Sequence, residues 1–338
     1  MRLNAVREFA FASAVIVAAT TACSSQSDRI LEDGRSIRRS ALREVWRRAV
    51  DSDDTLFAIP SKILLLENDV VVLDPAAARV VALSRSSGRM SWAFGVSGSG
   101  PGEMRTPSEI IEGPGGHVLV FDPGNGKVIE LSDGGRLLSE RTIGTGANLR
   151  SVCGLGGGAL LGYQLDLINP LTLIAPTYLT SRAVPFPWKV APPIQKVGSG
   201  SFDLGEFVRE TQSVLTAAGR GKCFLARQTS NGVALVDSSR VLWTNNAIKA
   251  PPLDSLRSTT STAIAVAVVG DTAMVAYHGI GKGRGRLIDL YSIKSGTYLE
   301  SWETPTPMSW ISANRDGIAV LRSTGSGASL SFWSFDAK

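Results

Sequence analysis

Three features of the 338-residue sequence predict an all-β fold. Glycine is abundant, at 35 residues, and is scattered along the chain, which is typical of many tight turns between short strands. A pattern of β-rich runs, Asp-containing loops and Gly turns occurs twice, and weaker copies of its central run follow at intervals of roughly 40 to 65 residues. Hydrophobic residues make up 43% of the chain, which provides enough apolar side chains for a core. Together these features predict a six-bladed β-propeller of four-stranded antiparallel blades.

The clearest repeat unit consists of a β-rich run that ends in Asp, a short loop, an alternating run and a Gly turn. Residues 68–95 carry the first copy and residues 116–141 carry the second. Short runs separated by turns are typical of antiparallel strands in a meander. Single β-rich runs mark four further units, at residues 159–163, 223–226, 273–277 and 318–321. Six units predict six blades.

The last unit, within residues 308–338, supplies only three β-rich runs and lacks a fourth strand. Residues 42–46 lie before the first complete unit, and we expect them to supply this outer strand. The pairing joins the two ends of the chain and leaves fewer open sheet edges. A helix over residues 36–49 is the alternative, because this segment lacks Gly and Pro and contains good helix formers.

The connection between the first two units carries the most specific motif, Gly100-Pro101-Gly102-Glu103-Met104, preceded by Phe94-Gly95 and followed by Pro107. Together with the runs that follow it, this stretch resembles the NHL repeat and the related six-bladed propeller lipoproteins of bacteria. The resemblance covers residues 60–145 and implies that the Gly-Pro-Gly-Glu turn precedes the innermost strand of a blade. We interpret the turn as a blade connection and not as an anion cradle, because its glycines tolerate positive φ and no phosphate-binding motif surrounds it.

The N-terminal region predicts export. Arg2 and Arg7 precede an apolar run over residues 9–19, which is the order found in a secretory signal peptide, and the run is too short to span a bilayer. Residues 20–23, Thr-Thr-Ala-Cys, resemble the lipobox of bacterial lipoproteins, which implies acylation of Cys23. An ordinary cleaved signal with an incidental cysteine is the alternative.

These motifs divide the chain into a signal peptide (residues 1–22), a lipidated tether (23–40) and the propeller (41–338). We expect a monomer that is held on a membrane by its lipid anchor and faces the periplasm or the cell surface. With Cys23 acylated, Cys153 and Cys223 are left as one disulfide or as two buried thiols. The sequence does not decide between these, because pairing requires Cα atoms within about 7 Å.

The net charge of +5 is spread thinly along the chain. The densest basic stretch lies between Arg35 and Arg48, and we expect it to be the solvated face of a polar N-terminal segment. It lacks the interleaved aromatic side chains that stack on single-stranded bases, so nucleic acid is not an expected partner.

Four residues are candidates for a ligand-binding rim. In a propeller meander, the loop between the second and third strands opens on the same face as the link to the next blade. This topology places Asp74, Asp122, Glu103 and His278 on one face of the ring. The alternative is that the aspartates cap turns by accepting hydrogen bonds from nearby backbone.

The sequence assigns no catalytic residue and no metal ligand. Its two histidines, His117 and His278, exclude a zinc site of three histidines, and the Asp-rich loop of an EF-hand and the Gly-x-Ser-x-Gly motif are both missing. No cofactor is predicted, although a Ca²⁺ site built from Asp or Asn oxygens stays open. We expect a scaffold that binds a protein, peptide or glycan. A propeller hydrolase or lyase, of the lactonase or NHL-lyase kind, with a central-channel site is the alternative, so enzymatic activity is left undecided.

Overall fold

A computed structural model describes most of the propeller. It covers residues 29–30, 35–39, 42–50, 56–144, 149–164, 170–188, 213–219, 221–228, 232–245, 263–277, 285–324 and 327–335. Within these ranges the regular structure is β-sheet, apart from one short 3-10 turn, Pro114–Gly116. The sheets are arranged as a six-bladed β-propeller, which confirms the predicted fold class.

The blades follow one another along the chain. Three strands come first: β1 (Arg29–Ile30), β2 (Ser36–Arg39) and β3 (Leu42–Val50). Blade 1 contains β4 (Lys62–Leu65), β5 (Asp69–Asp74), β6 (Arg79–Ser84) and β7 (Met90–Phe94). The connection to blade 2 contains β8 (Val96–Ser97) and β9 (Glu103–Met104). Blade 2 contains β10 (Glu109–Glu112), β11 (Val118–Asp122), β12 (Lys127–Leu131) and β13 (Leu137–Thr142).

The second half of the ring repeats this order. Blade 3 contains β14 (Leu149–Gly156), β15 (Ala159–Gln164), β16 (Leu171–Ile174) and β17 (Ser181–Val184). Blade 4 contains β18 (Ser213–Ala217), β19 (Lys222–Arg227), β20 (Val233–Asp237) and β21 (Val241–Asn245). Blade 5 contains β22 (Ala263–Val269), β23 (Thr272–Tyr277), β24 (Leu287–Ser292) and β25 (Tyr298–Glu303). Blade 6 contains β26 (Trp310–Asn314), β27 (Gly317–Thr324) and β28 (Gly327–Phe335), completed by β3.

The position of a strand in its blade explains its composition. The first strand of each blade lines the central channel, whereas the second and third strands pack between neighbouring blades on both faces. Both faces of these middle strands are therefore apolar: residues 70–73 of β5 and residues 80–83 of β6 are at most 1% exposed. The outer strand β13 has no such cover, and none of its residues is buried.

The ring closes through the chain ends. β3 pairs antiparallel with β28 along its length, with Trp46 opposite Phe332 and Val50 opposite Ala328. The predicted closing strand over residues 42–46 is confirmed and extends to Val50, and the helical alternative is wrong. The open edge of blade 6 explains the outcome, because a strand here gains a complete ladder of interstrand hydrogen bonds.

The segment before β3 is docked on blade 5. β2 pairs parallel with the outer strand β25, and β1 pairs with β2, which gives this blade six strands. Arg35 is fully buried and its guanidinium lies 2.8 Å from a carboxylate oxygen of Asp289. The prediction of a solvated basic segment is therefore wrong at Arg35, whereas Arg38 is 51% exposed, as expected. Residues 36–39, which we expected within the tether, form a strand.

Adjacent blades are also joined by tryptophans of outer strands. The indole N–H of Trp92 in blade 1 donates to the carbonyl of Asp133 in blade 2 at 2.8 Å, and the ring covers Gly135, where a Cβ would come within 2.4 Å. The same contact recurs twice. Trp46 of blade 6 covers Gly88 of blade 1, and Trp243 of blade 4 covers Gly296 of blade 5. Only glycine leaves room for the indole at these turns.

A disulfide joins blades 3 and 4. Cys153 on β14 is bonded to Cys223 on β19, and their Cα atoms are 6.1 Å apart. This resolves the choice that the sequence left open. The two cysteines lie far apart in sequence, so the disulfide closes a loop of 70 residues and restrains the unfolded chain.

The Gly-Pro-Gly-Glu turn connects blades 1 and 2. Gly102 has φ of 75°, and its N–H donates to the carboxylate of Glu140 on β13 at 2.7 Å. Lys127 binds both that carboxylate and the carbonyl of Gly100, each at 3.0 Å. Met104, directly after the turn, is fully buried. Each of these contacts holds the connection against blade 2.

We predict that Gly135→Ala destabilises the protein more than Gly126→Ala does. Both glycines lie in blade 2 at positive φ, +76° and +61°, so both substitutions incur the same kind of backbone strain, about 1–2 kcal/mol. Only at position 135 does the added Cβ strike the indole of Trp92, whereas nothing lies within 4 Å at position 126. Overpacking of this kind costs about 1–3 kcal/mol more. Urea unfolding measures both variants, and equal losses would show that the tryptophan contact does not hold the blades together.

Candidate functional site

The two predicted rim aspartates are buried caps. Asp74 is 0% exposed and accepts a hydrogen bond from the backbone N–H of Ile59 at 3.0 Å. Asp122 is likewise 0% exposed and accepts from the consecutive N–H groups of Arg105 and Thr106, both at 2.9 Å. In blades 1 and 2 the aspartate that ends the second strand thus holds the segment that leads into the first strand of the same blade. These are the contacts that the turn-capping alternative predicts.

The other two candidates have different outcomes. Glu103 accepts from the N–H of Gly100 at 2.7 Å, a contact within its own turn. Asn125 donates both to Asp122 and to the carbonyl of Gly98, so the structure brings Asp122 and this turn into one network. His278 lies outside the described residues.

The central channel is lined by the first strands of all six blades and encloses a cavity of about 150 Å³. Most of the residues that line it are apolar. Lys62 lies 3.2 Å from the carboxylate of Glu109 and 3.4 Å from the ring centroid of Trp310, so it joins blades 6, 1 and 2 near the channel. Burial raises the pKa of Glu109, and the charge of Lys62 and its hydrogen bond oppose this shift. The buried carboxylate is thus already compensated by a lysine of the same chain.

A larger cavity, of about 550 Å³, lies between blades 1 and 2 on the opposite face of the ring from the predicted rim. We call it the acidic groove. It is lined by the turns between first and second strands of both blades, by the last turn of blade 2 and by an indole: Leu66, Glu67, Asn68, Asp69, Trp92, Glu112, Gly115, Gly116, Asp133 and Gly134. Four of these residues carry carboxylates and none is basic.

Glu112 occupies a junction within this face. It ends β10 at the mouth of the channel and lines both the acidic groove and a cavity of about 180 Å³ between blades 2 and 3. Partial burial raises the pKa of its carboxyl group. The Glu112 carboxylate is therefore shared by the channel, the acidic groove and the cavity between blades 2 and 3.

Sequence reasoning missed the acidic groove because it considered the other face. The turns concerned, at residues 66–69, 113–116 and 132–135, are rich in Gly and acidic residues, which is a visible but weak signal. Their juxtaposition arises only when blades 1 and 2 pack side by side. Trp92 lies within the first repeat copy, residues 68–95, but the repeat pattern does not predict its place in the wall of a cavity.

The described residues contain neither a membrane-spanning helix nor a metal-binding cluster. In the described part of the chain, no helix is long and apolar enough to cross a bilayer. Among the same residues, no cluster of three or more His, Cys, Asp or Glu side chains has the geometry to hold a metal ion.

Comparison with known proteins supports the fold. Residues 36–155, about a third of the chain, match the family model described as outer membrane protein assembly factor BamB. No curated protein matches the sequence. Among solved structures, a candidate exported protein from Bacteroides fragilis is 14% identical, with a TM-score of 0.51, and the match covers 89% of this chain and 99% of that one.

Two further solved structures are similar to this chain. The WD40 domain of Pan2 from Neurospora crassa is 9% identical with a TM-score of 0.50, covering 89% of this chain and 98% of that one. Virginiamycin B lyase from Staphylococcus aureus is 11% identical with a TM-score of 0.48, covering 81% of this chain and 80% of that one. At such identities these similarities concern the fold alone.

We predict that Glu109→Gln flattens the pH dependence of stability. Burial raises the pKa of Glu109 above its ordinary value of 4.5, so the folded protein holds this proton more tightly than the unfolded chain does. The stabilisation by protonation is therefore full below that ordinary value and is lost as pH rises through the raised pKa. Melting temperatures between about pH 4.5 and 8 test this, with the exposed Glu67→Gln as control. Parallel curves for wild type and Glu109→Gln would refute the assignment.

Proposed function

We propose that the protein is an exported lipoprotein whose propeller binds a protein partner through the face that carries the acidic groove. The observation that carries this proposal is the groove itself, with four carboxylates and a tryptophan around a cavity of about 550 Å³. Carboxylates attract Lys and Arg side chains, and an indole face adds a cation–π contact. The groove is therefore suited to a protein segment that presents basic side chains.

The family match supports a protein partner. Residues 36–155, which match the model described as an outer membrane protein assembly factor, include every residue of the acidic groove. An assembly factor acts on other proteins, which favours a protein over a glycan. The enzymatic alternative needs a reactive group at the channel, and the buried Glu109 there is already paired with Lys62.

The disulfide supports export. Disulfides such as Cys153–Cys223 form and persist in oxidising compartments outside the cytosol. The predicted signal peptide accounts for the route, and acylation of Cys23 accounts for attachment to a membrane. Cys23 lies outside the described residues, so its role rests on the lipobox-like sequence.

We predict that Cys23→Ala moves the mature protein from the membrane fraction to the soluble fraction. The acyl chains are the proposed anchor, and each buried CH₂ group contributes about 0.8 kcal/mol to membrane binding. Fractionation and mass spectrometry of the N-terminal peptide test this. Full retention of the variant on membranes, with no lipid on wild-type Cys23, would disprove the lipoprotein assignment.

We predict that a photo-crosslinking residue at position 68, in the wall of the acidic groove, captures a discrete protein partner in cells. Glu67→Gln combined with Glu112→Gln should lower the adduct yield by about tenfold, which corresponds to a loss of about 1.4 kcal/mol of binding free energy. The reason is that two carboxylates of the acidic groove, where we propose that a basic segment binds, lose their charge.

Asp271 provides the matched control. It lies in the corresponding turn of blade 5, on the same face of the ring, and is exposed. Asp271→Asn should leave the adduct from position 68 unchanged, and a crosslinker at position 271 should give no such adduct. Equal adduct yields from both positions, or a yield at position 68 that the groove substitutions do not change, would contradict binding at the acidic groove.

A further inference from the structure

The N-terminal hairpin of β1 and β2 determines where the chain leaves the ring. The strand order in blade 5 is β1, β2, β25, β24, β23, β22, from the outer edge to the channel. β1 is thus the strand of this blade that lies farthest from the channel. A chain that continues N-terminal from Arg29 therefore begins at the outer edge of blade 5.

A buried polar network locks the hairpin in place. Arg35 and Asp289 are both 0% exposed, and the Arg35 Nε lies 3.1 Å from each carboxylate oxygen of Asp289. Ser301 of β25 donates its hydroxyl to the same carboxylate at 2.6 Å. The N–H of Ser36 donates to the hydroxyl of Tyr298 at 3.1 Å. Releasing the hairpin would remove Arg35 from Asp289 and leave this buried carboxylate without its charge partner, which is strongly unfavourable.

The remaining link to the anchor is short. Cys23 and Arg29 are separated by six residue steps, which span at most about 20 Å when fully extended. Acylation at Cys23 therefore keeps β1 within about that distance of the lipid headgroups. Blade 2 lies three blades away from blade 5, at the opposite side of a six-bladed ring.

We infer that the propeller rests on a phospholipid bilayer by the outer edge of blade 5, with the acidic groove of blades 1 and 2 on the side of the ring that is far from the bilayer. The inference rests on the proposed acylation of Cys23. The edge beside the hairpin presents Leu299, 50% exposed, and Arg38, 51% exposed, whose guanidinium lies 3.9 Å from the carboxylate of Glu300. A basic and an apolar side chain suit contact with anionic headgroups and the interface beneath them. The groove is then accessible to a partner from the side that the membrane does not cover.

Energy transfer from labelled protein to labelled lipid tests the orientation. Leu299→Cys lies on the outer strand of blade 5, and Leu138→Cys, on the outer strand of blade 2, is its matched control, since that leucine is also exposed. The native cysteines do not compete for the label, because Cys153 and Cys223 are joined and Cys23 is acylated. The full acylated protein is reconstituted into vesicles of phosphatidylethanolamine and phosphatidylglycerol that carry an acceptor on the headgroup.

We expect transfer from position 299 to exceed transfer from position 138 by at least about twofold, because the tether of about 20 Å holds one edge near the lipid. Insertion of a flexible Gly-Ser linker of about 20 residues after Ser27 should bring the two values together, because the linker frees the orientation without touching the fold. Equal transfer from both positions of the acylated protein without the linker, or stronger transfer from position 138, overturns the inference. Mass spectrometry of Cys23 separates the two proposals: a missing acyl group overturns the lipoprotein proposal and this orientation with it, whereas an acylated protein with equal transfer overturns the orientation alone.

Discussion

The antiparallel ladder between β3 and β28 is the interaction on which the rest of the molecule depends. It supplies the fourth strand of blade 6 and joins the two ends of the chain. The same N-terminal segment reaches both neighbouring blades, since Trp46 covers a turn of blade 1 and Arg35 is buried in blade 5. The channel is lined by all six blades, so it exists only while the ring is closed.

Carboxylates in this propeller fall into two groups that differ in their surroundings. Asp74 and Asp122 end second strands, are buried, and have their oxygens occupied by backbone N–H groups of the chain itself. Glu112 ends the first strand of blade 2, and Glu67 follows the first strand of blade 1. Both lie on the other face of the ring and are accessible to solvent. Hydrogen bonding to backbone makes the first group part of the scaffold. The second group is accessible to solvent, which is why the proposed binding face is the one opposite to the predicted rim.

The docked N-terminal hairpin relates the proposed membrane anchor to the proposed binding face. A tether that simply ended at the first blade would leave the disc free to turn on the membrane. In this chain the polypeptide is held along the edge of blade 5 by a parallel strand and by the Arg35–Asp289 pair before it reaches blade 6. The N-terminal hairpin and the acidic groove thus lie on opposite sides of the ring, an arrangement that suits the proposed scaffold at a membrane.

The sequence alone determined the all-β class and the six blades, because strand rhythm and turn residues are local properties that each segment carries by itself. It predicted a closing strand at residues 42–46, but the open edge of blade 6 decided that strand against a helix. The sequence also predicted a turn that includes Gly102, whose φ of 75° favours glycine. Only the tertiary structure decided that Cys153 and Cys223 pair, that Arg35 is buried and that an acidic groove lies beside Trp92. Each of these features joins residues from two blades or two distant segments. Their contacts depend on the packing of blade against blade, which no local pattern records.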